Sequence, residues 1–191
     1  DFAALAYGGF LKDVATGTIL ANENLIYAAT GSQIYVRWDH DRPFQQGHSI
    51  SKLGSTDTPQ DLNFGNIGDI VVDPNNWQHA VALASYNGKR PTILETTDGG
   101  LIWIPITGNL TRTSLSLFAL EFIPAGTQPG TNGGPAQPEF DTLFVGGLRG
   151  VYHAVAPGQL PARFLEFGEN LPNTVVHDLH YDVDSDVLLA G

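Results

Sequence analysis

Cysteine is absent from this 191-residue chain, and lysine and arginine are scarce. Without cysteine, the protein has no disulfide, no thiol nucleophile and no cysteine-ligated metal site. Lysine and arginine together number 9 against 20 aspartates and glutamates, which gives a formal net charge of -11. A surface of this charge repels phosphate backbones and anionic lipid, so we expect no nucleic-acid partner.

The chain also lacks an apolar run of the roughly 20 residues that a membrane-spanning helix needs, so we expect no membrane insertion. Its hydrophobic content of 42% is ordinary for a globular domain with a core. Glycine and proline are frequent, and few stretches could sustain a helical apolar stripe. The composition predicts an all-β protein, and we expect it at an extracellular, cell-surface or periplasmic site of a bacterium.

Similar strands recur along the chain in units on the order of 40 to 60 residues, each with up to four strands. The second strand of each unit is apolar almost continuously, as expected where both faces of a sheet are covered. The predicted first strands are 2–9, 70–74, 120–124 and 179–182, and the predicted second strands are 25–29, 80–84, 142–146 and 187–191. The predicted third strands are 33–37, 92–96 and 150–154, and the predicted fourth strands are 104–110 and 165–171.

Four strands per unit predict the four-stranded antiparallel blades of a β-propeller. About three and a half blades are present, because the last predicted unit has two strands. Propellers have about four to eight blades, so the ring is partial. We predict approximate blades at 1–66, 67–114 and 115–173, and an incomplete blade at 174–191. We therefore expect this partial ring to be completed by a remaining part of the same chain or by neighbouring chains.

A segment that begins at Thr96 reads Thr-Thr-Asp-Gly-Gly-Leu-Ile-Trp and matches the pattern S/T-x-D-x-G-x-x-W. Gly99 and Gly100 can adopt positive φ, while the side chains of Thr96 and Asp98 can bond nearby backbone amides. Trp103 opens the next strand, and its ring can cover the sheet layer beneath the turn. An ordinary Asp-Gly hairpin is the alternative, and the strand repeats make it less favoured.

This segment, together with residues 72–76 (Val-Asp-Pro-Asn-Asn) and 170–173 (Asn-Leu-Pro-Asn), resembles the Asp-box (BNR, sialidase-like) repeat propellers. That superfamily includes sialidases, xyloglucan-degrading enzymes, sortilin-like receptor ectodomains and photosynthetic assembly factors. The resemblance implies that Thr96, Asp98, Gly100 and Trp103 form a structural turn away from any catalytic face, so it implies no active site. Scattered arginines without a family motif disfavour a sialidase.

Asp182, Asp184 and Asp186 have the D-x-D-x-D spacing of calcium loops, in which alternating carboxylates converge on one cation. The signal is weak, because neither the glycine nor the closing glutamate of such a loop is present. An acidic turn between two strands is the favoured alternative. Asn109-Leu110-Thr111 also matches the N-glycosylation pattern, which is short and often matches by chance.

The sequence favours a binding or scaffold module of a larger secreted or surface-exposed protein, with a protein or carbohydrate ligand on the loops at the propeller axis. No catalytic residue is predicted. The first alternative is part of a carbohydrate-active hydrolase, which needs two facing carboxylates. The second is an assembly component whose blade edges are covered by neighbouring chains. The unranked candidates for the hydrolase carboxylates are Asp69, Asp73, Glu95, Asp141 and Asp178.

Overall fold

The structure of the protein is a computed structural model. The chain forms two compact units of β-structure, Asp1–Pro105 and Ile106–Gly191. Its described residues are strands, turns and one short 3₁₀ helix, so the predicted all-β class is confirmed. In this part of the chain, no helix is long and apolar enough to cross a membrane. The described residues are 4–12, 16, 18–49, 58–86, 89–112, 116–123, 141–155, 162–168, 173–182 and 185–191.

The first unit begins with a four-stranded antiparallel sheet whose spatial order is β1, β4, β5, β6. A small hairpin, which was not predicted from the sequence, lies between the first two strands of this sheet in the chain but is not part of the sheet. The sheet strands are β1 (Ala4–Tyr7), β4 (Ile26–Thr30), β5 (Gln33–Arg37) and β6 (Gln45–Gln46), and the hairpin strands are β2 (Phe10–Lys12) and β3 (Ile19–Ala21).

The second sheet of this unit has its four main strands in chain order, again antiparallel. They are β9 (Asn66–Asp73), β10 (Asn76–Tyr86), β11 (Lys89–Thr96) and β12 (Ile102–Pro105). Two short strands, β7 (His48–Ser49) and β8 (Gln60–Asp61), extend the sheet because β7 pairs in parallel with β12. Part of the range 1–66, which we predicted as the first blade, is thus hydrogen-bonded to the second sheet.

An apolar core lies between these two sheets. From β10 it receives the small side chains of Ala80, Ala82 and Ala84, and from the first sheet the larger ones of Tyr27 and Val36. Small residues on one sheet let the bulky residues of the other approach closely. The residues between these alanines in β10 are buried as well, which explains why the strand is apolar without alternation.

The second unit contains a third antiparallel sheet and a hairpin that packs on it. A core cluster that includes Phe144, Val176 and Leu179 lies between them, with Tyr181 and Leu188 packed against it. The sheet strands are β13 (Leu117–Ile123), β14 (Thr142–Gly147), β15 (Gly150–Val155) and β16 (Leu165–Phe167), and the hairpin strands are β17 (Leu179–Asp182) and β18 (Val187–Ala190).

The predicted strand 104–110 is wrong in extent. The strand ends at Pro105, and a 3₁₀ helix follows at Gly108–Arg112. Pro105 has no amide hydrogen for a continuing ladder, and Gly108 has a left-handed φ of 54°. Its predicted counterpart, 165–171, forms a strand only as far as Phe167, and its residues 169–171 lie outside the described part of the chain.

The 3₁₀ helix is fixed to the segment before β16 by the side chain of Asn109. Its Nδ2 donates to the carbonyl oxygen of Phe164 at 2.8 Å, and its Oδ1 accepts from the amide of Phe164 at 2.7 Å. A Cβ added to Gly108 would lie 1.8 Å from the carbonyl oxygen of Ala162. The amide that a glycan would modify at Asn109 is thus engaged in a structural hydrogen bond.

We expect Gly108→Ala to destabilise the protein far more than Gly31→Ala. Both glycines have nearly the same left-handed φ, at 54° and 57°, but nothing lies within 4 Å of a Cβ added to Gly31. Gly31→Ala should cost about 1 kcal/mol of unfolding free energy, and Gly108→Ala at least about 2 kcal/mol more because the backbone must move. Urea unfolding followed by circular dichroism tests this, and equal losses would contradict it.

Candidate functional site

The turn from Thr96 to Trp103, called here the Thr96 turn, is organised by one carboxylate oxygen. Oδ1 of Asp98 accepts hydrogen bonds from the hydroxyl of Thr96 at 2.8 Å and from the amides of Leu101 and Ile102, each at 3.0 Å. The hydroxyl oxygen of Thr96 in turn accepts from the amide of Gly100 at 3.0 Å. These bonds satisfy backbone amides that the tight turn leaves without sheet partners.

Two tryptophan indoles donate hydrogen bonds to carbonyl oxygens of this turn. Trp103 is 0% exposed and donates its indole N–H to the carbonyl oxygen of Gly100 at 3.0 Å. Trp38, which follows β5 of the first sheet, donates to the carbonyl oxygen of Gly99 at 2.8 Å. Gly99 and Gly100 have φ of 77° and 89°, as predicted. The turn therefore links the first sheet to the second.

The second polar site is a buried ion-pair cluster of Asp73, His79 and Glu95, called here the His79 cluster. Nδ1 of His79 lies 3.3 Å from Oδ2 of Asp73, and its Nε2 lies 2.9 Å from Oε1 of Glu95. Burial by itself lowers the pKa of His79, but the hydrogen bonds and charges of the two carboxylates together raise it to about 9. The imidazole therefore carries a proton at neutral pH.

Three adjacent strands bring the His79 cluster together. Asp73 ends β9, His79 lies in β10 and Glu95 lies in β11. Glu95 pairs with Val81, which is two residues from His79. The side chains of Glu95 and His79 therefore lie on the same face of the sheet. The cluster thus cross-links three strands through side chains.

The structure brings two of the five candidate carboxylates, Asp73 and Glu95, to the same histidine. Both are buried, and each has an oxygen bonded to His79, so they do not face each other across a substrate cleft. Asp69 and Asp178 each accept a hydrogen bond from the amide of the residue that follows. His79 was missed at the sequence level, because an isolated histidine reveals its partners only once the strand register is known.

The proposed calcium residues lie in the hairpin of β17 and β18. Asp182 ends β17, and Asp186, whose φ is 53°, accepts a hydrogen bond from the hydroxyl of Tyr181 at 2.7 Å. Asp184 lies outside the described residues. The hydrogen bond gives Asp186 a structural role in the turn, and calcium binding stays a prediction.

An open groove of about 930 Å³, called here the β1 groove, runs beside β1 and the hairpin of β2 and β3. Tyr7 and Phe10 line it and are 79% and 47% exposed. Glu23 and Asp73 also line it, and no lysine or arginine is among the described residues that do. The β1 groove therefore combines apolar and aromatic surface with negative charge.

A second, smaller groove of about 360 Å³ lies in the other unit, between β15, β16 and the segment before β17. Glu166 and Phe167 line it, together with Arg149 and Asn173. It therefore carries both signs of charge, unlike the β1 groove.

No protein-family model matches the sequence, and no curated protein matches it. Among solved structures, the chain is similar to the β-propeller domain of Cps50 (Swd1) from Myceliophteria thermophila, with a TM-score of 0.52 and 10% sequence identity. The similarity covers 100% of this chain and 48% of that one, so the chain spans about half the length of the matched structure. At this identity the likeness shows the fold alone.

The chain has a β-propeller fold. Two of its sheets, β1–β4–β5–β6 and β13–β14–β15–β16, are four-stranded and antiparallel, as propeller blades are. The predicted fold class is therefore confirmed.

In the Thr96 turn, we expect Asp98→Ala to lower the free energy of unfolding of the propeller by about 1–3 kcal/mol, because one substitution removes the acceptor of three hydrogen bonds. Asp98→Asn should cost less, since its amide oxygen still accepts. Urea unfolding followed by tryptophan fluorescence is suitable because Trp38 and Trp103 bond to this turn. Asp41→Ala is the control, because this carboxylate is exposed and, among the described residues, is bonded to His40 alone. Equal effects of Asp98→Ala and the control would contradict the assigned role.

We also expect stability to fall as pH rises through the titration of His79. Its pKa is about 9 when folded and about 6.5 when unfolded. Below pH 6.5 the protonated His79 contributes about 3 kcal/mol to the free energy of unfolding, and this contribution is lost as the pH rises to 9. Urea unfolding across this range should show the loss in the wild type and in His40→Gln, and not in His79→Gln. An NMR titration of His79 with a midpoint near 6.5 would contradict it.

Proposed function

We propose that this chain is the binding and scaffold module of a larger secreted or surface-exposed bacterial protein, and that the β1 groove is its ligand surface. The observation that carries the proposal is the composition of this groove. Exposed aromatic side chains and carboxylates line an open concave surface, and aromatic groups are enriched where proteins bind ligands. A protein segment and a carbohydrate are the two ligand classes that suit such a surface.

The groove is built on a rigid support. Ala4 and Ala6 of β1 pack against the apolar core between the two sheets, while Leu5 and Tyr7 alternate with them and are exposed. Asp73 belongs to both the groove and the His79 cluster, so one wall is held by the buried ion pairs. A preformed surface of this kind binds with little loss of conformational entropy.

We further propose that the chain is of the Asp-box type, with Thr96, Asp98, Gly100 and Trp103 as a structural turn. The hydrogen bonds of the Thr96 turn support this, because all four residues serve the backbone or the core and none lines the β1 groove. The arrangement of Asp73 and Glu95 around one histidine supports a binding role over a hydrolase. Both carboxylates serve as ion-pair partners, which is a structural use.

Binding assays on carbohydrate and peptide arrays test the proposal. The full chain should be retained by at least one ligand class, and Tyr7→Ser and Phe10→Ser should each weaken that binding about tenfold, since aromatic anchors dominate such surfaces. Val155→Ser is the matched control, because this apolar side chain is exposed in the other unit and does not line the groove.

Two outcomes would overturn the proposed function. One is binding that is insensitive to both groove substitutions or is equally weakened by the control. The other is release of sugar from a polysaccharide that Glu95→Gln abolishes in a folded variant, which would identify the hydrolase instead.

A further inference from the structure

The edge of β1 that faces away from β4 carries main-chain groups with no strand partner in the described structure. β1 pairs with β4 alone, with Ala4 opposite Ala29 and Ala6 opposite Tyr27. The amide of Gly8 donates to the carbonyl oxygen of Leu25, which fixes the phase of the ladder. Because hydrogen bonding alternates along an antiparallel strand, residues 5 and 7 direct their N–H and C=O groups to the open edge.

The same two residues offer apolar side chains next to this open edge. Leu5 is 61% exposed and Tyr7 is 79% exposed. A strand added at the edge would place every second side chain on the face that they occupy. Open main-chain groups and exposed alternate side chains are the two features that recognition by strand addition requires.

The charge of the groove selects among extended peptides. Glu23 is exposed and forms no ion pair among the described residues, whereas the carboxylate of Asp73 is already bonded to His79. None of the lining residues that the structure describes is basic, and the whole chain has a net charge of -11. A ligand with lysine or arginine side chains is therefore attracted, and an acidic one is repelled.

We propose that an extended segment of a partner protein, with alternating apolar and basic side chains, binds in the β1 groove by pairing with the open edge of β1. This rests on the proposed binding function and names the partner of the same site. A row of alternating main-chain donors and acceptors matches another strand, which favours a peptide over an oligosaccharide. Backbone pairing supplies affinity, and Glu23 selects for positive charge.

The probe is a fluorescein-labelled peptide of about 10 residues that alternates lysine and valine, long enough to span a typical strand. One comparison peptide has glutamate in place of lysine, and another keeps every lysine but has proline in place of two central valines. Binding to the full chain is measured by fluorescence anisotropy. We expect the first peptide to bind, the acidic one not to bind, and the proline peptide to bind at least about tenfold more weakly, because proline removes ladder amides.

Two further measurements localise the complex. Hydrogen exchange followed by NMR should show that the amides of Leu5 and Tyr7 become protected by the lysine–valine peptide. Glu23→Lys should weaken binding about tenfold at low salt. Glu166→Lys is the matched control, because it changes the net charge equally and lies in the smaller groove of the other unit.

Equal binding of the proline peptide, equal weakening by Glu166→Lys, or unchanged exchange at Leu5 and Tyr7 would each overturn the inference. If no peptide binds while an oligosaccharide is retained through Tyr7 and Phe10, the strand-addition proposal is wrong and the proposed binding function stands. If neither class binds through the β1 groove, both proposals are wrong.

Discussion

The first unit depends on the close approach of backbone and indole rings at the Thr96 turn. A Cβ added to Gly47 would lie 2.6 Å from Nε1 of Trp103, and one added to Gly100 would lie 2.6 Å from the ring of Tyr27. Both positions therefore require glycine, and the second also has positive φ. The aromatic rings of two sheets contact each other at this point. A few hydrogen bonds of the turn therefore hold the two sheets together at the edge of the apolar core.

The His79 cluster applies a different kind of constraint to the same sheet. Apolar packing tolerates small shifts of one strand past another, but an imidazolium held by a carboxylate on each side tolerates little, since both bonds depend on position. The cluster therefore fixes the relative positions of β9, β10 and β11. Asp73 also lines the β1 groove, so the ion pairs of the cluster hold one wall of the proposed ligand surface in place.

Features encoded by neighbouring residues were predicted from the sequence, and features that depend on strand register were not. The Thr96 turn was predicted because its donors, acceptors and glycines lie within one short segment. The His79 cluster joins three strands, and the β1 groove is lined by residues from β1, from 21–23 and from 72–74, so neither could be inferred before the strand pairing was known. The strand predicted at 104–110 was too long, because its apolar residues serve the core from a strand end and a 3₁₀ helix.

The indole of Trp38 and the carbonyl of Gly99 are 61 residues apart in the chain, and the hydroxyl of Tyr27 bonds to a carbonyl 50 residues away. β7 adds a parallel pairing with β12, in which His48 lies opposite Ile102, over a similar separation. Such contacts form only after long loops have closed, which slows folding and makes it cooperative. The first two sheets should therefore fold as one unit, and a chain cut between them would leave each half without the contacts that order it.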